Sequence, residues 1–444
     1  MTQAEKQEMM THAPIPGLIG RLAVPTIISM LVTSFYNMAD TFFVAKIGTS
    51  ATAAVGVVFP LMSVIQAIGF FFGHGSGNSM SRKLGAGDTK SAEQLASCGF
   101  YAALGIGLVM LLGGYLFLEP LSVALGSTDT ILPYTMEYLR IILIGAPYMT
   151  ASLVLNNQIR FQGNAFYAMI GITAGSVLNI ALDPFMIFVL DMGIAGAAWA
   201  TILSQFVSFV LLLYGVKRSG CVPLHIRNVR YLPQQIREIC GGGLPSLCRQ
   251  GLASLATVVL NLAARPYGDA AIAAMTIVMR ITFFANASLI GFGQGFQPVC
   301  GYCYGAGNVK RVREAFWFCV RISTVVLVVL GVAGLLLSRP LITVFRKEDA
   351  EVIRVGVLAL RLQCLTLPLT GFIILNNMLF QTCKWTIPAS VLASARQGIF
   401  FIPVALLLPQ LVGLLGVQLA QPVADALSFA LALVLNRKMM RRLE

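Results

Sequence analysis

Charge is scarce in this sequence. Asp, Glu, Lys and Arg together make up 11% of its 444 residues, whereas soluble domains carry about a quarter. With 57% hydrophobic residues and a mean hydropathy of +0.80, the chain reads as a polytopic membrane protein. Apolar segments of roughly 20 to 28 residues recur along it, each long enough as a helix to cross a bilayer core of roughly 30 Å, and no soluble domain of ordinary size fits between them. The first 16 residues are polar. The apolar run after them is too long for a cleavable signal and lacks a small-residue cleavage site, so the first span is expected to anchor itself.

Catalytic and metal-binding signatures are also missing. The nine cysteines lie within apolar runs (Cys98, Cys240, Cys248, Cys319, Cys364, Cys383) or at their ends (Cys221, Cys300, Cys303). Cys300-x-x-Cys303 has neither a second pair nor a His nearby, so the thiols read as small apolar fillers. No GKS/T loop, HExxH or GxSxG occurs, which excludes ATP hydrolysis within this chain and points away from an enzyme. Gly69 to Gly77 (GFFFGHGSG) superficially resembles a phosphate loop, but no strand precedes it. Its spacing reads as close helix packing, with His74 a packed polar residue.

What is present is organised as twelve spans, expected near 17–44, 52–80, 92–117, 131–156, 165–190, 193–216, 239–264, 270–298, 314–338, 352–380, 386–409 and 414–436. Lys and Arg crowd the second, sixth and eighth loops (Arg82, Lys83, Lys90; Lys217, Arg218, Arg227, Arg230, Arg237; Lys310, Arg311, Arg313) and the C-terminus (Arg437, Lys438, Arg441, Arg442). The opposite loops are poorer, the ninth mixing Arg339, Arg346 and Lys347 with Glu348, Asp349 and Glu351. That asymmetry predicts both termini in the cytoplasm. It also accounts for most of the net charge of +13 as topological bias and lipid-surface contact, so nucleic acid is not an expected partner.

An internal repeat runs at an offset of 220 residues: Pro25 with Pro245, Gly48 with Gly268, Gly73 and Gly75 with Gly293 and Gly295, Gly85-Ala86-Gly87 with Gly305-Ala306-Gly307, and Leu155-Asn156-Asn157 with Leu375-Asn376-Asn377. One residue out of step, Phe161-Gln162 matches Phe380-Gln381 and Pro184 matches Pro403. Six spans per repeat is an even number, so the halves enter the membrane from the same side and are related by an axis along its normal. The expected fold is an all-α membrane protein of two pseudo-symmetric six-helix lobes. Residues 1–217 form the N-terminal lobe, 218–237 a basic cytoplasmic linker and 238–444 the C-terminal lobe. The Asn pairs read as helix caps, and Asp88 and Asn308 as N-caps after tight breaks.

The repeat does not share its acids. Asp40 aligns with Leu260 and Asp183 with Ile402, so only the N-terminal lobe holds this pair. Asn179 precedes Asp183 by one helical turn and Pro184 follows it, freeing a backbone carbonyl. A carboxylate at such depth costs roughly 2.5 to 3.5 kcal/mol and faces a cavity or a partner. Counted from the span ends, Asp40, Asp183 and Thr201 all lie roughly 7 to 12 Å below the outer surface. One pocket can hold all three, with Tyr36 and Asn37 on the helical face of Asp40. Two carboxylates in an apolar pocket cannot both stay ionised unless a proton or a small cation joins them. Pro25 gives span one a place to bend when Asp40 changes charge, and Pro184 is a second hinge. In the C-terminal lobe, Arg249, Arg280, Arg396 and Asp425 lie near the midplane. They read either as a structural pairing of Asp425 with one Arg or as a positively biased cavity wall.

Tyr36-Asn37-Met38-Ala39-Asp40, the Lys83-Leu84-Gly85-Ala86-Gly87-Asp88 loop, Asn179-x-x-x-Asp183-Pro184 and Gly196-Ala197-Ala198-Trp199-Ala200-Thr201 resemble the multidrug and toxic compound extrusion (MATE) family. The resemblance covers nearly the whole chain and is nearest its DinF-like branch, with the MepA-type multidrug exporters. It implies a cation site in the N-terminal lobe, carried onto Asp40, Asn179, Asp183 and Thr201, with bending of the first helix at Pro25. Acids that another branch uses in its C-terminal lobe are absent here.

The expectation is therefore a monomeric exporter in the bacterial cytoplasmic (inner) membrane. It exchanges inward H⁺ or Na⁺ for amphipathic organic substrates by rocking of the lobes, without a cofactor and in contact with membrane lipid. Met and Phe side chains in the cleft would offer substrates a soft surface. A lipid-linked sugar flippase of a related superfamily is the alternative, and a passive channel a third reading that the asymmetric acids disfavour.

Overall fold

The computed structural model describes residues 3–345 and 349–443; Arg346, Lys347 and Glu348 of the ninth loop lie outside the described residues. Among the described residues there is no strand, and twelve helices are long and apolar enough to cross a membrane. In lipid each backbone N–H and C=O needs a partner within the chain, which a helix supplies locally. The spans, numbered one to twelve below, are Ile15–Ile47, Thr49–Gly85, Thr89–Leu116, Leu132–Phe161, Ala165–Val189, Gly193–Arg218, Ile226–Tyr267, Asp269–Gly305, Val309–Leu336, Ala350–Thr382, Thr386–Val412 and Leu414–Arg442.

All twelve expected runs fall on these helices, but the helices outlast the apolar stretches. Spans two and eight continue to Gly85 and Gly305 because capping turns, rather than hydropathy, stop them. Gly87 and Gly307 take φ of 78° and 75°, where a side chain would be strained. The Asp88 and Asn308 side chains then accept the Ser91 and Arg311 backbone N–H at 3.0 and 3.2 Å, as N-caps. Cys300 and Cys303, expected at a span's end, are therefore inside helix and buried, and all nine cysteines are free.

The Asn pairs are not caps, because spans four and ten run on past them. Asn156 and Asn377 instead donate to Ala168 O and Ala389 O of the next span, at 2.9 and 2.6 Å. Asn157 and Asn376 turn back to carbonyls of their own helices. Both halves thus use one Asn as a clip between helices, with the two members of the pair exchanged. The halves also share a π turn, Phe185–Val189 in span five and Ala395–Ile399 in span eleven.

The lobes meet through the halves of spans one, two, seven and eight nearest the end that carries both termini. Small residues let backbone touch backbone there. A Cβ on Gly75 would meet Ile239 O, and one on Gly243 would meet Phe71 O. Gly291 and Gly295 face Ile27 and Ala23 in the same way, and Gly85 and Gly305 face Tyr302 and Arg82. Glycine-rich close packing was legible in the sequence; that it joins the lobes was not. Pro25, expected to give span one a place to bend, lies in its first third at this contact.

Two features depart from expectation at the same end. Arg82, expected at the membrane surface, is buried inside span two, where it donates to Thr382 O at 2.7 Å and lies 3.9 Å from Glu238 of the other lobe. Glu238 also pairs with Lys384 at 2.7 Å. The polar N-terminal segment forms a helix, Gln3–His12. Lys6 Nζ donates to Ser219 O and Gly220 O at 2.7 Å, and Gln7 to Gly85 O at 2.9 Å. Met10 O accepts from the Cys303 thiol, and Ala13 O from Arg311. The segment straps the first lobe to the second.

Candidate functional site

The candidate site sits where spans one, four, five and six of the first lobe converge. Spans five and six approach closely because Gly175 has no side chain. A Cβ there would lie 2.9 Å from Ser204 O, and one on Gly196 2.7 Å from Met186 O in the π turn. That approach sets the polar side of span five against Thr201. Beyond Pro184 the helix widens, and Leu190 N–H reaches five residues back to Phe185 O at 3.0 Å. Asp183 sits immediately before this irregular turn and is completely buried.

Asn179 and Thr201 are buried beside it. Asn179 Nδ2 donates to Asp183 Oδ1 at 3.4 Å, a long bond that leaves much of the charge unanswered. Three buried oxygens here have no hydrogen-bond partner: Asp40 Oδ1, Asn179 Oδ1 and Asp183 Oδ2. Asp40 and Asp183 are near enough to repel one another. Neither takes part in any ion pair among the described residues. Unpaired buried acceptors of this kind cost about 1 to 3 kcal/mol each, more when charged. The arrangement holds acceptors without donors, which suits a proton or a hard, oxygen-seeking cation.

The structure adds residues that the sequence had not singled out. Tyr138 of span four is fully buried, its hydroxyl 4.0 Å from Met62 Sδ and near Thr201 and both acids. Tyr36 likewise lies near both acids and near Gln205 of span six. Tyr138 lies two turns inside span four, and counting depth from that end would have found it. Asn37, expected to serve Asp40, is exposed and makes no hydrogen bond to it. At about 100° per residue Asn37 points about 60° to one side of Asp40 and Tyr36 about 40° to the other, and the pocket lies on the Tyr36 side. Pro25 lies fifteen residues from Asp40, about 22 Å along the helix, so it is no part of the pocket itself.

The C-terminal set divides. Half-buried Arg396 donates through Nε to buried Asp425 Oδ1 at 2.7 Å, and Gln421 donates to the same oxygen at 2.9 Å. That is the structural pairing. Arg280 is exposed, and Arg249 half-buried.

A family model described as MatE matches residues 25–185 and 245–407, one match in each half. The multidrug export protein MepA of Staphylococcus aureus is 26% identical over 425 residues, covering 95% of this chain and 94% of its own. Among solved structures, the crystal structure of a MATE in complex with MaL6 superposes with a TM-score of 0.93 at 26% identity, covering 98% of each chain. The outward-facing conformation of a multidrug resistance MATE family transporter of the MOP superfamily does so with a TM-score of 0.91 at 27% identity, again over 98% of each.

Proposed function

The chain belongs to the MatE family, and on that footing we propose that it exports amphipathic organic compounds, many of them cationic, in exchange for inward H⁺ or Na⁺. The observation that carries this reading is the cluster of three unpartnered buried oxygens on Asp40, Asn179 and Asp183. A proton or sodium ion binding there removes the mutual repulsion of the acids. Its arrival and departure therefore change the energy of the packing among spans one, five and six. The likeness to MepA supports a drug-like substrate. The likeness to an outward-facing transporter and the glycine-lined lobe contact at the terminus-bearing end support rocking alternating access. By the distribution of Lys and Arg, that end faces the cytoplasm of a bacterial cell.

In the proposed cycle the coupling ion enters from the outer side and settles between Asp40 and Asp183, with Asn179, Thr201, Tyr36 and Tyr138 completing its oxygen shell. One charge moving down a field of 100 mV releases about 2.3 kcal/mol. That is enough to shift a two-state equilibrium by roughly fiftyfold. The glycine-lined contact at the other end is the element this energy opens and closes. Purified protein in liposomes, loaded with ethidium under imposed proton or sodium gradients applied separately, tests the reading. Wild type is expected to move ethidium against its gradient with one of the two, and Asp183→Asn with neither while remaining folded. Gradient-driven transport by the variant at the wild-type rate would refute the assignment.

A further inference from the structure

A second polar cluster, of opposite character, lies between the lobes nearer the terminus-bearing end. Arg160 of span four is 1% exposed, yet its Nε and Nη1 have no partner. Its Nη2 donates to Asn157 Oδ1 and faces His74 Nε2 at 3.5 Å. His74 is itself buried, and its Nδ1 faces Phe70 O at 3.2 Å. With the Nδ1 proton on that carbonyl, the ring is neutral and Nε2 is the acceptor. His74 and Asn157 therefore hold Nη2 and leave Nε and Nη1, on either side of it, without acceptors.

Arg249 of span seven approaches from the second lobe. The backbone of span two around His74 packs on span seven, with Gly243 against Phe71 O and Gly242 against Gly75. Arg249 lies six residues further along, with a side chain inclined back towards the start of its helix. Its charge is felt at both Arg160 and His74. No carboxylate pairs with either arginine among the described residues. An uncompensated buried charge such as that of Arg160 costs several kcal/mol, and the half-buried Arg249 adds repulsion to it. The Arg160 guanidinium lies over the Phe161 ring, 5.1 Å from its centroid, and the coupling-ion pocket uses neither arginine.

We propose that Arg160 and Arg249 form an oxyanion site between the lobes that takes a carboxylate or phosphate group, with His74 and Asn157 positioning the Arg160 fork. The free Nε–H and Nη1–H flank the occupied Nη2 on opposite sides, so each offers one charge-assisted hydrogen bond to a carboxylate or phosphate oxygen. Because the two arginines come from different lobes, a bound anion bridges them and favours the state in which the lobes touch here. The site goes beyond the export reading and stands on other residues, so failure of either leaves the other intact.

The test uses the full-length protein in nanodiscs and the fluorescent pair pyrenebutyrate and pyrenebutyrate methyl ester, which differ only in the charge of the head. Wild type is expected to bind the carboxylate at least tenfold more tightly than the ester, and Arg249→Gln to lose that preference. Arg160→Gln tests the buried half, and Arg249→Gln keeps the proposal falsifiable where the Arg160 variant fails to fold. Displacement of pyrenebutyrate by inorganic phosphate identifies a soluble anion as occupant. Displacement on replacing phosphatidylcholine with phosphatidylglycerol in the disc identifies a lipid headgroup. Equal affinity of wild type for acid and ester, with no competition by phosphate or phosphatidylglycerol, would overturn the site.

Discussion

Adding one methyl group at Gly75 would set it against the carbonyl of Ile239 across the lobe contact. The obstruction is backbone, so no rotamer change relieves it, and spans two and seven have to separate. Overpacking of this kind costs about 1 to 3 kcal/mol, and the penalty falls only on the state in which the terminus-bearing ends touch. Gly75→Ala is therefore expected to shift the equilibrium away from that state by about 5- to 150-fold. Spin labels at the repeat-matched exposed positions, Lys90→Cys and Lys310→Cys, report it by double electron–electron resonance. The three half-buried cysteines, Cys221, Cys240 and Cys248, are first replaced by serine. The variant should gain a longer-distance population. Gly243→Ala, facing Phe71 O, should do the same, whereas Gly105→Ala, with open space beside it, should not. An unchanged distance distribution in folded Gly75→Ala would refute the claim that this contact is the closed gate.

Asp425→Ala should destabilise the protein by up to about 3 kcal/mol, because it strands a half-buried Arg396 without its partner. The double variant with Arg396→Met should recover most of the loss in thermal unfolding. Tyr138→Phe removes only the hydroxyl beside Thr201. Folding should be kept while the gradient dependence of ethidium transport moves to higher ion concentration, and unchanged dependence would take Tyr138 out of the oxygen shell. Asp88→Ala should lower stability by about 1 kcal/mol through loss of the N-cap. The Ser91 hydrogen bonds hold the Asp88 carboxyl below its ordinary range, with help from Lys83. The cap's added stability is thus complete above that ordinary range and disappears as pH falls through the lowered value. Asp88→Asn should keep the cap and abolish the acid dependence. Deleting residues 3–12 removes the strap that joins Ser219 and Gly220 to Cys303, and labels at Lys90 and Lys310 should then show a broader distance distribution.

Much of this protein is a local property of its chain. Desolvating a backbone in lipid obliges each apolar run to be a helix, so twelve runs predicted twelve spans. The repeat offset predicted two like lobes, and the depth of Asp40, Asn179, Asp183 and Thr201 along their helices predicted a shared pocket. Capping side chains such as Asp88 and Asn308 were equally readable, since a cap acts within three residues. What stayed hidden depends on which helices touch. Hydropathy cannot distinguish an arginine at the lipid surface from Arg82 inserted between lobes, nor an asparagine cap from Asn156 clipping the next span. Nor can it tell that Asn37 turns out of the pocket while Tyr138, from another span, turns in. Arg160 and Arg249 are 89 residues apart and belong to different lobes. Only the crossing of spans two, four and seven, allowed by glycines where two backbones meet, brings their like charges together with no acid between them.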